Sequence, residues 1–247
     1  MSVNPFKITG WSQALNQISA TKKEILGSLR ITNDGRKYRY AKAGELLAQG
    51  KICQTPAAIA NHIAQVQTAY GAAQGASTIS VIVGATAAAA DYYADGYFCV
   101  YDGAAGTVGY TTGVISSAYS AGSAPIVCQL QEPLAVAILA TDTVSLVKNP
   151  WDGVMQNASV AFGPAGVPNV AVTNAYFFWC QTGGVCAVLG DATPTALGAP
   201  LQVSATEGAV GKHTETNATD VTSSIVGYTQ YVIPVSTKYH PIYLKIE

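Results

Sequence analysis

The sequence predicts a mainly β protein made of antiparallel β-sandwich or barrel units with an extended basic N-terminal arm. Short apolar stretches of strand length follow one another after residue 77 of the 247-residue chain. Glycine-containing turns such as Asp102-Gly103 and Gly190-Asp191 separate several of these stretches, as is typical of antiparallel sandwiches and barrels. The regular alternation of strand and helix that builds a nucleotide-binding sheet is missing.

The first 70 residues give mixed signals. Residues 12–29 carry apolar side chains at helical spacing, but a glycine at position 27 weakens the helix prediction. The Asn-Asp-Gly sequence at 33–35 predicts a turn, and the alternation of residues 36–40 predicts a strand after it. Residues 56–70 begin with a proline and precede a glycine, which fits either a helix or an extended arm that crosses a partner.

From residue 78 onward the sequence predicts ten strands. They are residues 78–83, 96–101, 109–115, 125–130, 143–148, 176–181, 185–189, 200–203, 224–232 and 242–246. Prolines near the ends of many of them are expected at strand ends or sheet edges. We expect residues 1–55 to form the arm and 56–247 the β-rich body, either as one domain or as two subdomains, 56–175 and 176–247.

The five cysteines are odd in number and have no metal-binding spacing. In a reducing compartment we expect them to be small buried hydrophobic residues. Cys180 and Cys186 flank the Gly183-Gly184 pair. That pair predicts a hairpin turn, across which the two thiols would face each other and could form a disulfide.

Basic residues are concentrated at the start of the chain. Nine of the thirteen lie in the first 51 residues beside three acidic residues, which gives this segment a net charge of +6. The other 196 residues carry four lysines and eleven acidic residues, for a net charge of −7. Such a division predicts a protein that docks through its N-terminal part onto an acidic surface. The predicted contact residues are Arg30, Arg36, Lys37 and Arg39.

The alternation of arginine and tyrosine in residues 36–40 is also compatible with nucleic-acid binding, since bases stack on aromatic rings. Nucleic-acid-binding domains are usually basic overall, whereas this chain has a net charge of −1. We therefore expect a protein partner and no nucleic acid. Charged residues make up only 11% of the chain, which favours self-association because interface cores are depleted of charge.

No pattern predicts catalysis, a cofactor or a metal site. The three histidines His62, His213 and His240 are far apart in sequence, and none has the spacing of a known ligand motif. Most of the acidic residues precede glycine in turns or stand alone, without the pairing that acid–base catalysis needs. We expect no enzyme, no catalytic residue, no cofactor and no metal ligand.

Targeting signals are also missing from the sequence. The N-terminus lacks the apolar run of a secretory signal peptide, and the most apolar stretch, 134–140, is too short to span a bilayer. We expect a protein that is made in a cytoplasm and does not contact a membrane.

Several sequence motifs resemble those of one family. Residues 33–44 (NDGRKYRYAKAG) and 47–51 (LAQGK) resemble the opening of proteins encoded near the head genes of tailed bacteriophages. Further matches are YADGY at 93–97, QEPL at 131–134, NPWDGV at 149–154 and FWCQTGG at 178–184. The similarity extends to Gly227-Tyr228 and to the closing residues 242–244. These proteins are generally taken to be capsid decoration (cement) proteins or other virion proteins.

The resemblance implies a non-enzymatic protein that binds the outside of an icosahedral head and clamps neighbouring major capsid subunits. It also implies a homotrimer and a place on the virion exterior after synthesis in the host bacterial cytoplasm. A tail or head-fibre component that binds a host glycan is the alternative, with Tyr92, Tyr93, Tyr97 and Tyr101 as a candidate aromatic platform. Burial of these tyrosines in a barrel core would be the ordinary structural role.

Overall fold

The computed structural model describes residues 10–66, 70–103, 107–157, 163–191, 196–213, 224–230 and 238–247. Within these residues the chain forms strands and one short 3₁₀ helix, Ala60–His62. The strands are β1 (Leu29–Ile31), β2 (Lys37–Ala43), β3 (Cys53–Gln54), β4 (Gln65–Val66), β5 (Thr78–Ile82), β6 (Tyr97–Asp102), β7 (Thr111–Ser117), β8 (Pro125–Leu130), β9 (Thr143–Val147), β10 (Asp152–Gln156), β11 (Pro164–Pro168), β12 (Phe177–Leu189), β13 (Pro200–Val203), β14 (Val210–Lys212), β15 (Ile225–Thr229) and β16 (Tyr239–Lys245). The prediction of a mainly β protein is confirmed.

The chain divides into two compact units. The first, here called the barrel unit, combines Met1–Pro56 with Pro150–Glu247, and the second, the sheet unit, is Ala57–Asn149. This division differs from the expected arm at 1–55 and from the expected boundary at 175/176. β2 explains the difference, because both of its faces are covered. Tyr38 and Tyr40 are fully buried on one face, and Ala41 and Ala43 are buried on the other.

Five strands of the barrel unit close into a ring. β2 pairs with β10 in parallel, β10 with β3, β3 with β11, β11 with β12, and β12 with β2, the last four antiparallel. The interior is narrow, since mostly small side chains such as Ala41, Cys53, Ala165 and Cys180 surround the larger Phe178. Five-stranded barrels have room only for side chains inside, so this interior is a packed core.

β12 changes partner half-way along its 13 residues. Phe177–Gly183 pair with β2 and Gly183–Leu189 pair with β16, and β16 continues the sheet through β15 and β13 to β14. The hairpin predicted at Gly183-Gly184 is therefore wrong. The two glycines lie inside one strand, where Gly184 takes a φ of +84° that L-residues with a side chain rarely adopt. Cys180 and Cys186 are buried and free, as expected of reduced thiols, and the alternative of a disulfide between them is not realised.

The segment 12–29 covers the outside of the barrel without forming a helix. Trp11, Leu15 and Leu26 pack against the outward-facing Tyr38, Tyr40, Phe177 and Trp179. The helix prediction is wrong because the apolar residues do not share one face: Ile25 is 66% exposed. Gly27 in addition has a φ of +81°. Of the stretch 56–70, only Ala60–His62 is helical among its described residues.

The sheet unit is one antiparallel sheet in the order β4-β9-β6-β7-β8-β5. The strands predicted at 78–83, 96–101, 109–115, 125–130 and 143–148 correspond to β5, β6, β7, β8 and β9 within three residues at each end. One face of these strands, with residues such as Ile79, Phe98 and Ile126, forms a single apolar core. The fully buried His62 lies in this unit, where its Nδ1 and Nε2 contact the hydroxyl of Tyr93 and the carbonyl oxygen of Thr86.

Candidate protein-contact surface

The β1–β2 hairpin forms as the sequence predicts. The Gly35 N–H donates to the Thr32 carbonyl oxygen at 2.9 Å, and the Thr32 N–H donates to the Arg36 carbonyl oxygen at 3.0 Å. Gly35 has a φ of +83°, the left-handed conformation that a three-residue hairpin loop needs at its last position. The hairpin presents Asp34 and Arg36 at its tip.

Arg36 is fixed from three sides. Its Nε donates to Asp34 Oδ2 at 2.7 Å, and its Nη1 donates to the Tyr38 hydroxyl at 2.9 Å. Its aliphatic stem lies on Gly184, where a Cβ would be only 2.8 Å from Arg36 Cγ. Hydrogen bonds from Thr32 and Arg36 lower the pKa of the exposed Asp34 carboxyl, so this charged pair is present at neutral pH.

Lys37 packs against Gly183. The Lys37 Cβ is 3.3 Å from the position that a Cβ on Gly183 would take. Gly183 is paired with Lys37 on β2 and with Lys245 on β16, so the two lysines flank it. Since directly paired residues point to the same side of a sheet, both lysine side chains lie on one side, where Lys37 Nζ donates to the Glu247 carbonyl oxygen at 3.5 Å. The absence of a side chain on Gly183 leaves space between them.

Arg30 is held by aromatic rings. Its guanidinium carbon is 5.4 Å from the centre of the Trp179 ring and 5.9 Å from that of Trp11. Its Nη1 donates to the Gln13 carbonyl oxygen at 3.0 Å. Burial lowers the pKa of this guanidinium, which nevertheless stays charged because an arginine starts so far above neutral pH.

Arg39, by contrast, uses its charge within the barrel unit. Its Nε lies 2.8 Å from Glu247 Oε2, and its Nη1 donates to the Gly27 carbonyl oxygen at 2.7 Å. The guanidinium also lies 5.1 Å from the centre of the Trp151 ring. The structure thus brings Arg30 and Arg36 to one surface and places both Lys37 and Arg39 beside Glu247.

Clefts around Arg36 extend this surface onto the sheet. One of about 430 Å³ runs along the hairpin from Arg30 to Arg36, and one of about 390 Å³ continues over Gly184, Val185 and Tyr243. A third, of about 260 Å³, also includes Arg36 and reaches Gly50 and Ala187. These two small residues belong in turn to a fourth cleft, of about 390 Å³, beside Tyr239.

The sheet end of the surface is apolar and aromatic. Val185 of β12 pairs directly with Tyr243 of β16, which pairs with Tyr228 of β15. The Tyr228 and Tyr243 rings stack with their centres 5.0 Å apart. Val185 is 47% exposed and Tyr239 52% exposed. We call the area from Arg30 through Arg36 to Val185, Tyr243, Tyr228 and Tyr239 the contact surface.

Sequence reasoning missed the apolar half of the contact surface. Residues 239–245 alternate in the sequence. In the structure, Ile242 and Leu244 are buried, and Tyr239 and Lys245 are exposed. This alternation could not show that the outward tyrosines meet the basic hairpin, because that depends on β12 pairing with both β2 and β16.

The cysteines of the described residues are poorly suited to nucleophilic chemistry. Burial raises the pKa of Cys128 and Cys186 to about 12 and also raises the pKa of Cys53 and Cys180, and the thiolate is the reactive form. His213 Nδ1 contacts Gln202 Oε1 at 2.6 Å. Among the residues that the structure describes, no group of three or more histidine, cysteine, aspartate or glutamate residues could hold a metal ion.

The four tyrosines considered as a glycan platform do not share one exposed surface. Tyr93 is buried, and the ring of Tyr92 packs edge-on against it with Lys148 Nζ 4.6 Å from the Tyr92 ring centre. Tyr97 and Tyr101 on β6 are exposed. Tyr92 and Tyr93 therefore have a structural role in packing, which is the ordinary alternative to glycan binding.

The two units carry opposite net charges. The barrel unit has twelve basic and nine acidic residues, whereas the sheet unit has one lysine and five acidic residues. No helix in the described part of the chain is long and apolar enough to cross a membrane. In comparisons with protein-family models, curated proteins and solved structures, nothing matches the chain.

Proposed function

We propose that this protein is a bacteriophage capsid decoration protein. It binds the outer surface of an icosahedral head through the contact surface and clamps neighbouring major capsid subunits without catalysing a reaction. The observation that carries the proposal is the continuity of the contact surface, in which fixed cations adjoin exposed aromatic and aliphatic side chains. The motifs that resemble decoration proteins supply its second support.

Such a surface suits a protein partner on physical grounds. Exposed apolar area releases about 25 cal/mol per Å² when a partner covers it. Cations at the edge of that area speed up and orient docking onto carboxylates more than they add affinity. Arg36 is also preorganised by its contact with Gly184 and by its hydrogen bonds to Asp34 and Tyr38, so less side-chain entropy is lost on binding.

A second surface supports self-association, which we propose takes the form of a homotrimer. β5, β7 and β8 of the sheet unit contain no charged residue, and Ile115, Tyr119 and Val127 are exposed on or beside them. A neutral face can meet a different patch of a neighbouring copy, as a three-fold ring requires, without like-charge repulsion. Three linked contact surfaces would then bind a head with an avidity that exceeds the affinity of one.

Co-sedimentation with undecorated phage heads tests this proposal. We expect the protein to sediment as a trimer alone, to pellet with heads at low salt, and to bind less well as salt rises. The variant Arg36→Glu should lower head occupancy at least tenfold. Lys37 and Arg39 are kept intact, because both contact Glu247.

The matched control is Lys212→Glu, which makes the same change of net charge at an exposed lysine of the barrel unit outside the contact surface. Equal loss of binding in both variants would show a general charge effect and would contradict docking by the contact surface. A protein that does not pellet with heads at any salt concentration would contradict the decoration function itself.

A further inference from the structure

β1 is the terminal strand of the ten-stranded sheet, and its hydrogen-bond register shows which backbone groups face away from that sheet. The Tyr40 N–H donates to the Ser28 carbonyl oxygen, and the Thr32 N–H donates to the Arg36 carbonyl oxygen. In an antiparallel pair, bonded residues alternate with non-bonded ones. Arg30, which pairs with Tyr38, is therefore bonded to β2, whereas the N–H and C=O groups of Leu29 and Ile31 point outward.

These outward groups form an open edge. Among the described residues, none donates to or accepts from the backbone of Leu29 or Ile31 on this side. A row of such groups is a template for an added strand from another chain. The two residues are two positions apart, so their outward groups have the spacing with which an extended chain pairs.

The side chains around the open edge determine which kind of strand can bind there. The cleft of about 430 Å³ is lined by Arg30, Ile31, Thr32, Asn33, Asp34 and Arg36, so it runs along the same hairpin. Arg30 is partly desolvated beside two tryptophan rings, and the nearby Glu24 carboxylate attracts it without fully offsetting the effect of burial on its pKa. A carboxylate on an incoming strand would meet this guanidinium in a setting where charged hydrogen bonds are strong.

We propose that the open edge of β1 accepts an extended acidic segment of the protein partner as an additional antiparallel or parallel strand. The backbone groups of Leu29 and Ile31 bind its main chain, and Arg30 and Arg36 bind its carboxylates. The identification of that partner as the capsid rests on the proposed function, whereas the recognition of an acidic strand rests on the geometry of β1.

Ile31→Pro tests the edge selectively. Proline removes the outward N–H of residue 31 and obstructs an added strand. The bonds to β2 remain, because proline is tolerated in edge strands where its N–H would face solvent. Ile31→Val is the matched control, since it keeps the N–H and a β-branched side chain. Tryptophan fluorescence, with all three tryptophans in the barrel unit, checks that both variants are folded.

The probe is a blocked, fluorescent ten-residue peptide of alternating glutamate and valine, titrated by anisotropy into the full-length protein. We expect saturable binding that weakens at least tenfold with Ile31→Pro and by less than twofold with Ile31→Val. The same peptide with lysine in place of glutamate, or with a central proline, should bind at least tenfold more weakly. Equal binding by Ile31→Pro, equal binding of the lysine peptide, or no binding at 1 mM probe would overturn the proposal.

Amide hydrogen exchange of the unaltered protein gives a measurement that does not depend on a variant. Saturating acidic peptide should slow exchange at Leu29 and Ile31 at least tenfold and leave Lys212 on β14 unchanged. Unchanged exchange at Leu29 and Ile31 while the peptide is bound would place the peptide elsewhere and overturn the edge assignment.

The two proposals can fail separately. If the peptide binds at β1 but the protein does not pellet with heads, the decoration function fails and strand addition stands. If the protein pellets with heads, and Ile31→Pro binds heads and peptide as well as the unaltered chain, strand addition fails and decoration stands.

Discussion

The side chain of Arg36 lies directly against Gly184. A Cβ built on Gly184 would be 2.8 Å from Arg36 Cγ and 3.0 Å from its Cα, closer than side-chain carbons pack in folded proteins. Because it has no side chain, Gly184 can adopt a positive φ inside β12. The missing Cβ also leaves the space against the strand that the Arg36 side chain occupies. One residue thus connects the path of the barrel strand to the position of a binding side chain.

Gly184→Ala is expected to destabilise the barrel unit and displace Arg36. A left-handed conformation costs an alanine about 1–2 kcal/mol, and the crowding against Arg36 adds about 1–3 kcal/mol. Urea unfolding followed by tryptophan fluorescence measures the total. Gly198→Ala is the matched control, because Gly198 has a φ of +74° and nothing within 4 Å of an added Cβ.

In Gly198→Ala, the free energy of unfolding should fall only by the cost of the left-handed conformation, about 1–2 kcal/mol. Equal losses in both variants would show that the Arg36 contact contributes nothing. If the decoration function holds, Gly184→Ala should also lower head occupancy in buffer without urea, where the variant is folded. Gly198→Ala should leave head occupancy unchanged.

Arg39→Ala is expected to lower the free energy of unfolding of the barrel unit by about 1–3 kcal/mol. The substitution removes two charged hydrogen bonds and leaves the partly buried Glu247 carboxylate and Gly27 carbonyl oxygen without the guanidinium. Lys37→Ala, two residues earlier on the same strand, removes only a long, exposed hydrogen bond to the Glu247 carbonyl oxygen and should change the free energy of unfolding by less than about 0.5 kcal/mol. Tryptophan-detected urea unfolding compares the two.

The opposite ranking would contradict the assignment of Arg39 to the internal network. A loss in Arg39→Ala that disappears in 1 M salt would indicate that the Glu247 ion pair carries the effect, since salt screens exposed charges. A loss that persists in salt would be attributed to the Gly27 bond and the Trp151 contact.

Local patterns predicted most of the sheet unit and less of the barrel unit. In the sheet unit, β5 to β9 are neighbours in an antiparallel sheet with mostly short connections, so alternation and turn residues are sufficient to locate them. Their apolar faces meet one core, which contains Ile79, Phe98 and Ile126. The turn at residues 33–35 and the strand after it were predicted for the same local reason.

The barrel unit depends on pairings that no local pattern contains. β2 joins β10 and β12 across more than 100 residues of sequence, and this long-range pairing converts the expected arm into part of a core. Gly183-Gly184 has the sequence of a hairpin turn, but tertiary pairing with two different strands overrides that preference. For the same reason the sequence marked Arg30, Arg36, Lys37 and Arg39 equally, and only the structure separates Lys37 and Arg39, which contact Glu247, from the other two.

Tyr93→Phe is expected to destabilise the sheet unit by about 1–3 kcal/mol, because it leaves a buried polar atom without a partner. His62 Nε2 faces the Thr86 carbonyl oxygen, which only accepts, so Nε2 carries the proton and Nδ1 accepts from the Tyr93 hydroxyl. The rate at which a thiol reagent modifies the buried Cys128 at a fixed urea concentration reports the opening of this unit.

The control for this variant is Tyr92→Phe, which changes the neighbouring, partly buried ring. It should alter Cys128 modification by less than twofold, whereas Tyr93→Phe should accelerate it at least fivefold. Similar rates in both variants would argue that the His62–Tyr93 hydrogen bond contributes no net stability.

Alkaline pH is expected to destabilise the barrel unit through its buried thiols. Burial raises the pKa of Cys186 from about 9 to about 12, and it raises the pKa of Cys53 and Cys180 in the same direction. An unfolded thiol then loses its proton before a folded one does. The free energy of unfolding that the buried neutral thiols contribute is fully present below pH 9 and is lost as the pH rises from 9 towards 12.

Cys186→Ala isolates one of these thiols. Its destabilisation relative to the unaltered chain should become smaller between pH 8 and pH 11, because the unaltered chain loses the Cys186 contribution over that range. Val188→Ala makes a cavity in the same apolar core without removing a titratable group, so its destabilisation should stay constant with pH. Urea unfolding at both pH values measures the two differences. Parallel pH dependence of the two variants would show that ionisation of Cys186 does not contribute to the alkaline loss of stability.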